Sequence, residues 1–146
     1  MRVLGIDHGQ VRIGLALSDP LGMIASPLQT LERRRKRKQD LAAIVAIAKE
    51  HDVSAMVIGM PFEMSGAAGK KANEVRQFME ALRLISPVPV HEWDERLTSV
   101  AAERALTTMN VRGDRRGELV DQMAAALILQ GYLDSLRGPE GGWDAP

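Results

Sequence analysis

The sequence predicts an α/β domain with one mixed sheet covered by helices on both faces. Two observations lead there. Three strand-like segments follow one another at the start of the chain, and the remainder alternates helical and strand patterns in the order β-β-β-α-β-α-β-α-α. Consecutive strands joined by a short turn pair antiparallel, whereas strands separated by helices pair parallel, so one sheet must contain both kinds of neighbour.

The elements follow in order. Val3, Leu4, Gly5 and Ile6 form an apolar run over residues 2–7 that ends at Asp7. Gly9 supplies a tight turn, and Ile13, Leu15 and Leu17 alternate with smaller or polar residues over 11–18. A third strand, 23–31, contains Pro27, which has no backbone N–H and therefore belongs at an edge or a bulge. After the basic run RRRKRK at 33–38, Leu41, Ile44, Val45 and Ala48 recur at helical spacing. VSAMVIGMPF is a strand running into the loop EMSGAAGKK. The helix that follows has Val75, Phe78, Met79, Leu82 and Ile85 along one face. PVPVHEW is a short strand. One helix is expected from about Thr98, with Thr98 or Ser99 as N-cap, and a last one from about Glu118 to Leu136. These define a single domain over 1–137, with 138–146 as a flexible tail.

With 146 residues, 45% of them hydrophobic, the chain can bury roughly two-thirds of its unfolded surface without disulfides or metals. It has no cysteine, which excludes a disulfide framework and a thiolate zinc site and suits a cytoplasmic location. No apolar run reaches the roughly 18 residues of a membrane span, and no signal peptide is evident. Formal net charge is zero, so bulk charge does not draw the chain to nucleic acid. The cations are clustered, however, at 33–38 and at Arg112, Arg115 and Arg116.

Three acids stand out. Asp7 ends a buried strand, where a carboxylate costs several kcal/mol unless it is partnered or used. Glu95, in HEWDERLTS, lies where the last strand gives way to a helix. Asp121 shares a helical face with Ala124, Ala125, Ile128 and Tyr132; it either faces inward or serves its helix N-terminus. Strand ends and an adjacent helix can gather such acids, and gathered carboxylates repel unless a cation joins them. Mg²⁺ or Mn²⁺, one ion or two, suits oxygen ligands and leaves room for water and phosphate. His8, His51 and His91 have no zinc-ligand spacing.

The blocks GIDHGQVRIGLALSD, VIGMPFEMSG, DERLTS and VDQMAAALILQGYLD resemble the four motif blocks of the YqgF/RuvX family. These are small RNase H-like proteins named for pre-16S rRNA processing or Holliday junction resolution. The resemblance spans almost the whole chain in the right order. It implies an RNase H-like three-layer fold with a mixed five-stranded sheet, in which the family's acids fall on Asp7, Glu95 and Asp121, its arginine on Arg12 and its loop glycine on Gly66. Departures are mild: Ser99 replaces a usual threonine, and Met60 and Phe62 stand at apolar positions of the second block.

The expected function is a metal-dependent endonuclease in which Asp7, Glu95 and Asp121 are both catalytic residues and metal ligands. By resemblance its substrate is precursor 16S rRNA, with branched DNA as the alternative. Arg12 suits a phosphate or an acid equally. Lys70 and Lys71, in a glycine-containing loop at a helix start, together with Arg96, Arg115 and Arg116, complete the candidate nucleic-acid contacts, although Arg96 also suits a structural pairing with Asp94. Aromatics are 3% of the chain, which favours recognition of backbone and shape over base stacking. The last helix, apolar almost all round, is either deeply buried or shared in a homodimer. Two rivals stand beside the nuclease. One is an ATPase-like module, suggested by the DxG turn but disfavoured by length; the other is a non-catalytic RNA-binding assembly factor.

Overall fold

The computed structural model describes residues 1–34, 36–63, 65–97 and 116–137. The elements are β1 (Val3–His8), β2 (Arg12–Ser18), β3 (Ala25–Glu32), α1 (Arg37–Glu50), β4 (Ala55–Met60), α2 (Lys70–Ile85), β5 (Val90–Asp94), a 3-10 turn (Glu95–Leu97) and α3 (Arg116–Ser135). The helix expected from Thr98, the cap at Thr98 or Ser99, and the tail 138–146 lie outside the described residues.

The five strands form one sheet in the order β3-β2-β1-β4-β5. β1 is central, antiparallel to β2 and parallel to β4, and β5 continues the parallel half. This is the mixed sheet the sequence predicts. Pro27 lies on the edge strand β3, and the pairing shifts beside it: Leu15 faces Gln29 while Ala16 faces Pro27. Both readings of that proline hold, because Leu28 is the extra residue of a bulge on an edge.

Alternation along β1 sends side chains to two cores. Leu4 and Ile6 join Ile13, Leu15, Met56 and Ile58 under α1 and α2, where Ile44, Phe78 and Leu82 complete the layer. Val3 faces the other way, with Ala16 and Val57, onto Ala125, Ile128, Leu129 and Leu133 of α3. The near-continuous apolar character of β1 and β4 follows from this double covering. Most of the apolar girth of α3 is taken up by the sheet; Val120, Ala124 and Leu133 are buried and Met123 is exposed. Among the described residues no helix is long and apolar enough to cross a membrane.

Candidate active site

Asp7 lies on the same side of β1 as Val3, the side covered by α3. It is 6% exposed. Its antiparallel neighbour on β2 is Gly14. On the other flank Ile6 pairs with Ile58, so the next residue of β4, Gly59, stands abreast of Asp7. A single row across the sheet therefore reads Gly14, Asp7, Gly59, with adjacent strands about 4.8 Å apart.

The two glycines leave space that the other acids use. A Cβ on Gly14 would overlap the backbone carbonyl of Asp121 and lie 3.0 Å from the Asp121 Cβ. A Cβ on Gly59 would lie 2.7 Å from Glu95 Oε1 and 2.5 Å from Ile128 Cδ1. Asp121, on the first turns of α3, thus sits over β2, while Glu95, in the 3-10 turn after β5, reaches over β4. The three acids come to one end of the sheet on one face, with Asp7 between the other two.

Asp121 accepts a hydrogen bond from Arg12 Nε at 2.9 Å. Both groups are partly exposed, so this pair is worth about 1 kcal/mol or less. Arg12 is set by the preceding turn, where Gly9 N–H donates to its carbonyl at 3.0 Å. Among the described residues no three carboxylates or imidazoles form a group able to ligate a metal as they stand. The donor set itself is all oxygen, which fits Mg²⁺ or Mn²⁺ and not zinc. Arg12 already neutralises part of the charge on one of the three acids.

Beside the acids lies a cleft of about 470 Å³, whose walls include Gly9, Gln10, Arg12, Lys70, Lys71 and Asp121. Lys70 and Lys71 open α2, whose N-cap, Gly69, offers no side-chain cap. The fold therefore brings the lysines of the EMSGAAGKK loop opposite Arg12, and only Asp121 of the three acids lines the cleft.

Arg96 is engaged elsewhere. Its Nε donates to both Asp94 oxygens at 3.0 and 3.1 Å, and its Nη2 donates to Asp94 Oδ2 at 2.5 Å. These contacts hold the Asp94 carboxyl below its ordinary range and raise Arg96. The guanidinium carbon of Arg96 lies 5.7 Å from the centre of the Phe62 ring, and that of Arg76, which pairs with Glu92 at 3.5 Å, lies 5.6 Å from it. A Cβ on Gly66, where φ is +91°, would lie 3.4 Å from Arg96 Nη1. Arg96 thus packs on the β4–α2 loop at the foot of Glu95. Arg115 lies outside the described residues, as does the side chain of Arg116, whose backbone opens α3.

Sequence reasoning gave His8 no role, and it passed over Asp40. His8 points away from Asp7, against Phe78 with ring centres 4.4 Å apart, and its Nε2 is buried with no hydrogen-bond partner. Burial, then the nearby Arg33 charge, lowers its pKa to about 4. Asp40, in the first turn of α1, is 1% exposed. Its Oδ1 accepts from the Arg34 N–H at 2.9 Å, and its Oδ2 lies 3.9 Å from Arg33 Nε. Period-two alternation from Leu4 and Ile6 is the signal that places His8 on the α1–α2 side of the sheet; Asp40 directly before Leu41 is a weaker one.

The fold is shared with a solved structure. T. thermophilus RuvC, in a structure titled as its complex with Holliday junction substrate, matches with a TM-score of 0.54 at 19% identity, over 90% of this chain and 94% of that one. The molecule is thus an RNase H-like α/β domain. The chain belongs to the RuvX family: that family's model, described as "Holliday junction resolvase", matches residues 1–135. Two relatives carry the name "Putative pre-16S rRNA nuclease". The one from Symbiobacterium thermophilum is 49% identical over 96% of this chain and 98% of its own length. The one from Myxococcus xanthus is 45% identical over 96% and 92%.

Proposed function

We propose that this protein is a divalent-metal-dependent endonuclease that hydrolyses phosphodiester bonds in precursor 16S rRNA. The observation that carries the reading is the row Gly14–Asp7–Gly59, with Asp121 over one glycine and Glu95 over the other. A strand acid flanked by two acids from separate elements presents an all-oxygen donor set of the kind that suits a hard divalent cation. Asp7, Glu95 and Asp121 are the residues to hold Mg²⁺ or Mn²⁺, one ion or two. When bound, the metal supplies Lewis-acid activation of the attacking water and stabilises the leaving oxygen.

The chain's own groups do the positioning. Lys70 and Lys71 hold the backbone phosphates on one wall of the cleft, and Arg12 holds them on the other. Arg12, which donates to Asp121, stands where it would neutralise a phosphate beside the acids. Asp94 and Phe62 fix Arg96, which steadies the turn carrying Glu95. A chain without cysteine suits the cytoplasm.

The test is cleavage of a precursor 16S rRNA fragment and of a four-way DNA junction, each with Mg²⁺, Mn²⁺ or EDTA, beside Asp7→Asn. Metal-dependent cutting of the RNA that the variant loses supports the reading. Cutting of the junction alone moves the substrate to branched DNA, the reading favoured by the description of the matching family. Folded protein that binds RNA and cuts neither in any metal is an assembly factor instead.

A further inference from the structure

The run at 33–38 is not absorbed by the cleft. Arg34, Lys36, Arg37 and Lys38 are exposed. Among the described residues none of the four makes an ion pair, although the chain as a whole is neutral. A solvated helix face usually mixes both signs, so four unpartnered cations within five residues form a concentrated positive surface.

The start of the run, Arg33 and Arg34, is held by hydrogen bonds. Arg33 N–H donates to the Val11 carbonyl at 3.0 Å, and its Nη1 donates to the carbonyls of Gly9 and Gln10 at 3.2 and 3.1 Å. The buried Asp40 anchors the next residue through the Arg34 N–H. The Arg33 bonds hold the start of the run against the β1–β2 turn, the same turn that walls the cleft. On the far side of that turn is a second hollow of about 450 Å³, lined by Gln10, Val11, Glu32, Arg33 and Arg34. Gln10 and Val11 line both hollows, so they form a ridge between the Arg12 cleft and the run.

We infer that Arg34, Lys36, Arg37 and Lys38 form a second phosphate-binding surface, continuous with the cleft across the Gln10–Val11 ridge, which takes a neighbouring stretch of the same nucleic-acid backbone. It rests on the nuclease reading for the identity of the polyanion. Sequence enters little at such a surface, because lysine and arginine against phosphate read charge and spacing.

The experiment is duplex binding as a function of salt, in EDTA, for the wild type, Arg34→Gln/Lys36→Gln/Arg37→Gln and Lys70→Gln/Lys71→Gln. The triple variant retains Arg33 and Asp40, and its thermal midpoint reports that the fold is kept. The slope of log K against log salt is expected to fall in magnitude by about 3 in the triple variant and by about 2 in the double. A triple variant that matches the wild type in slope and affinity overturns the inference. So does loss of binding to phosphatidylserine vesicles with duplex binding unchanged, which assigns the run to a membrane surface. Binding is read without metal and cleavage with it, so the two readings fail separately: a reduced slope in a protein that cuts nothing keeps this surface and removes the nuclease.

Discussion

Arg12 and Asp121, 109 residues apart in sequence, meet at 2.9 Å across the gap between β2 and α3. The contact sets a cation from the protein on an acid the proposed chemistry needs for a metal. Removing the arginine should therefore act in opposite directions on two measurements. Arg12→Ala is expected to bind Mn²⁺ as tightly as the wild type or tighter by calorimetry. Its cleavage efficiency is expected to fall about 10- to 100-fold, since misplaced phosphate alone costs on that order. Weaker Mn²⁺ binding would show that Arg12 supports the acids rather than competing for one.

Gly14 and Gly59 make separable predictions. In Gly14→Ala the new methyl meets backbone of α3, which cannot move without opening the second core. A loss of about 2–3 kcal/mol in urea unfolding is expected. In Gly59→Ala the methyl meets the ends of the Glu95 and Ile128 side chains, which can yield. Its stability loss should be smaller, about 1 kcal/mol, while cleavage falls because Glu95 is displaced. Equal stability losses would mean that Glu95 and Ile128 are as rigid as the helix backbone.

His8 predicts a pH dependence of stability in metal-free protein. Its folded pKa, about 4, lies below the unfolded value of 6.5, so the unfolded chain binds more protons between them. Stability is full above pH 6.5 and declines as pH falls towards 4. His8 contributes of order 3 kcal/mol to that decline. The charged groups around it are Arg33, Arg37, Glu74 and Asp40. Unfolding midpoints of His8→Gln between pH 7 and 4 should be flatter than those of the wild type. A parallel pair of curves would assign the decline to the carboxylates.

Phe62 carries Arg76 and Arg96 close to one ring. Phe62→Leu retains the apolar volume and removes the π face, at an expected cost of about 1 kcal/mol in stability. Since Arg96 is packed beneath Glu95, kcat should drop while duplex affinity in EDTA stays unchanged. A loss of affinity would place Phe62 or Arg96 against the substrate.

The mixed pairing of the sheet was legible because strands joined by short turns and strands separated by helices follow one another in the sequence, and Pro27 marked an edge or a bulge; the order of the strands was not. The placement of Asp121 with Ala124 and Ala125 was legible from helical geometry, and the partnership of Arg96 with Asp94 from adjacency. Three further things were not. Gly14 and Gly59 look like ordinary strand glycines until a helix from more than sixty residues further along the chain presses on them. Lys70 and Lys71 open a helix whose distance from Arg12 is set by the whole sheet. Asp40 reads as a first-turn helix acid, and only the chain's return past β2 makes it an anchor. Each is a tertiary property, absent from any local window.

The pairing of β1 carries a last consequence. Side chains on a strand alternate in face, so a slip of one residue would carry Asp7 into the layer of Phe78 and Ile44 and turn Ile6 towards Glu95. The sorting of Leu4 and Ile6 from Gly5 and Asp7 is therefore a fidelity check made during folding. A chain that passes it has its central acid correctly aimed before any ligand arrives, and one that fails exposes its error as buried charge. Mutations that loosen this pairing should silence the protein before they unfold it.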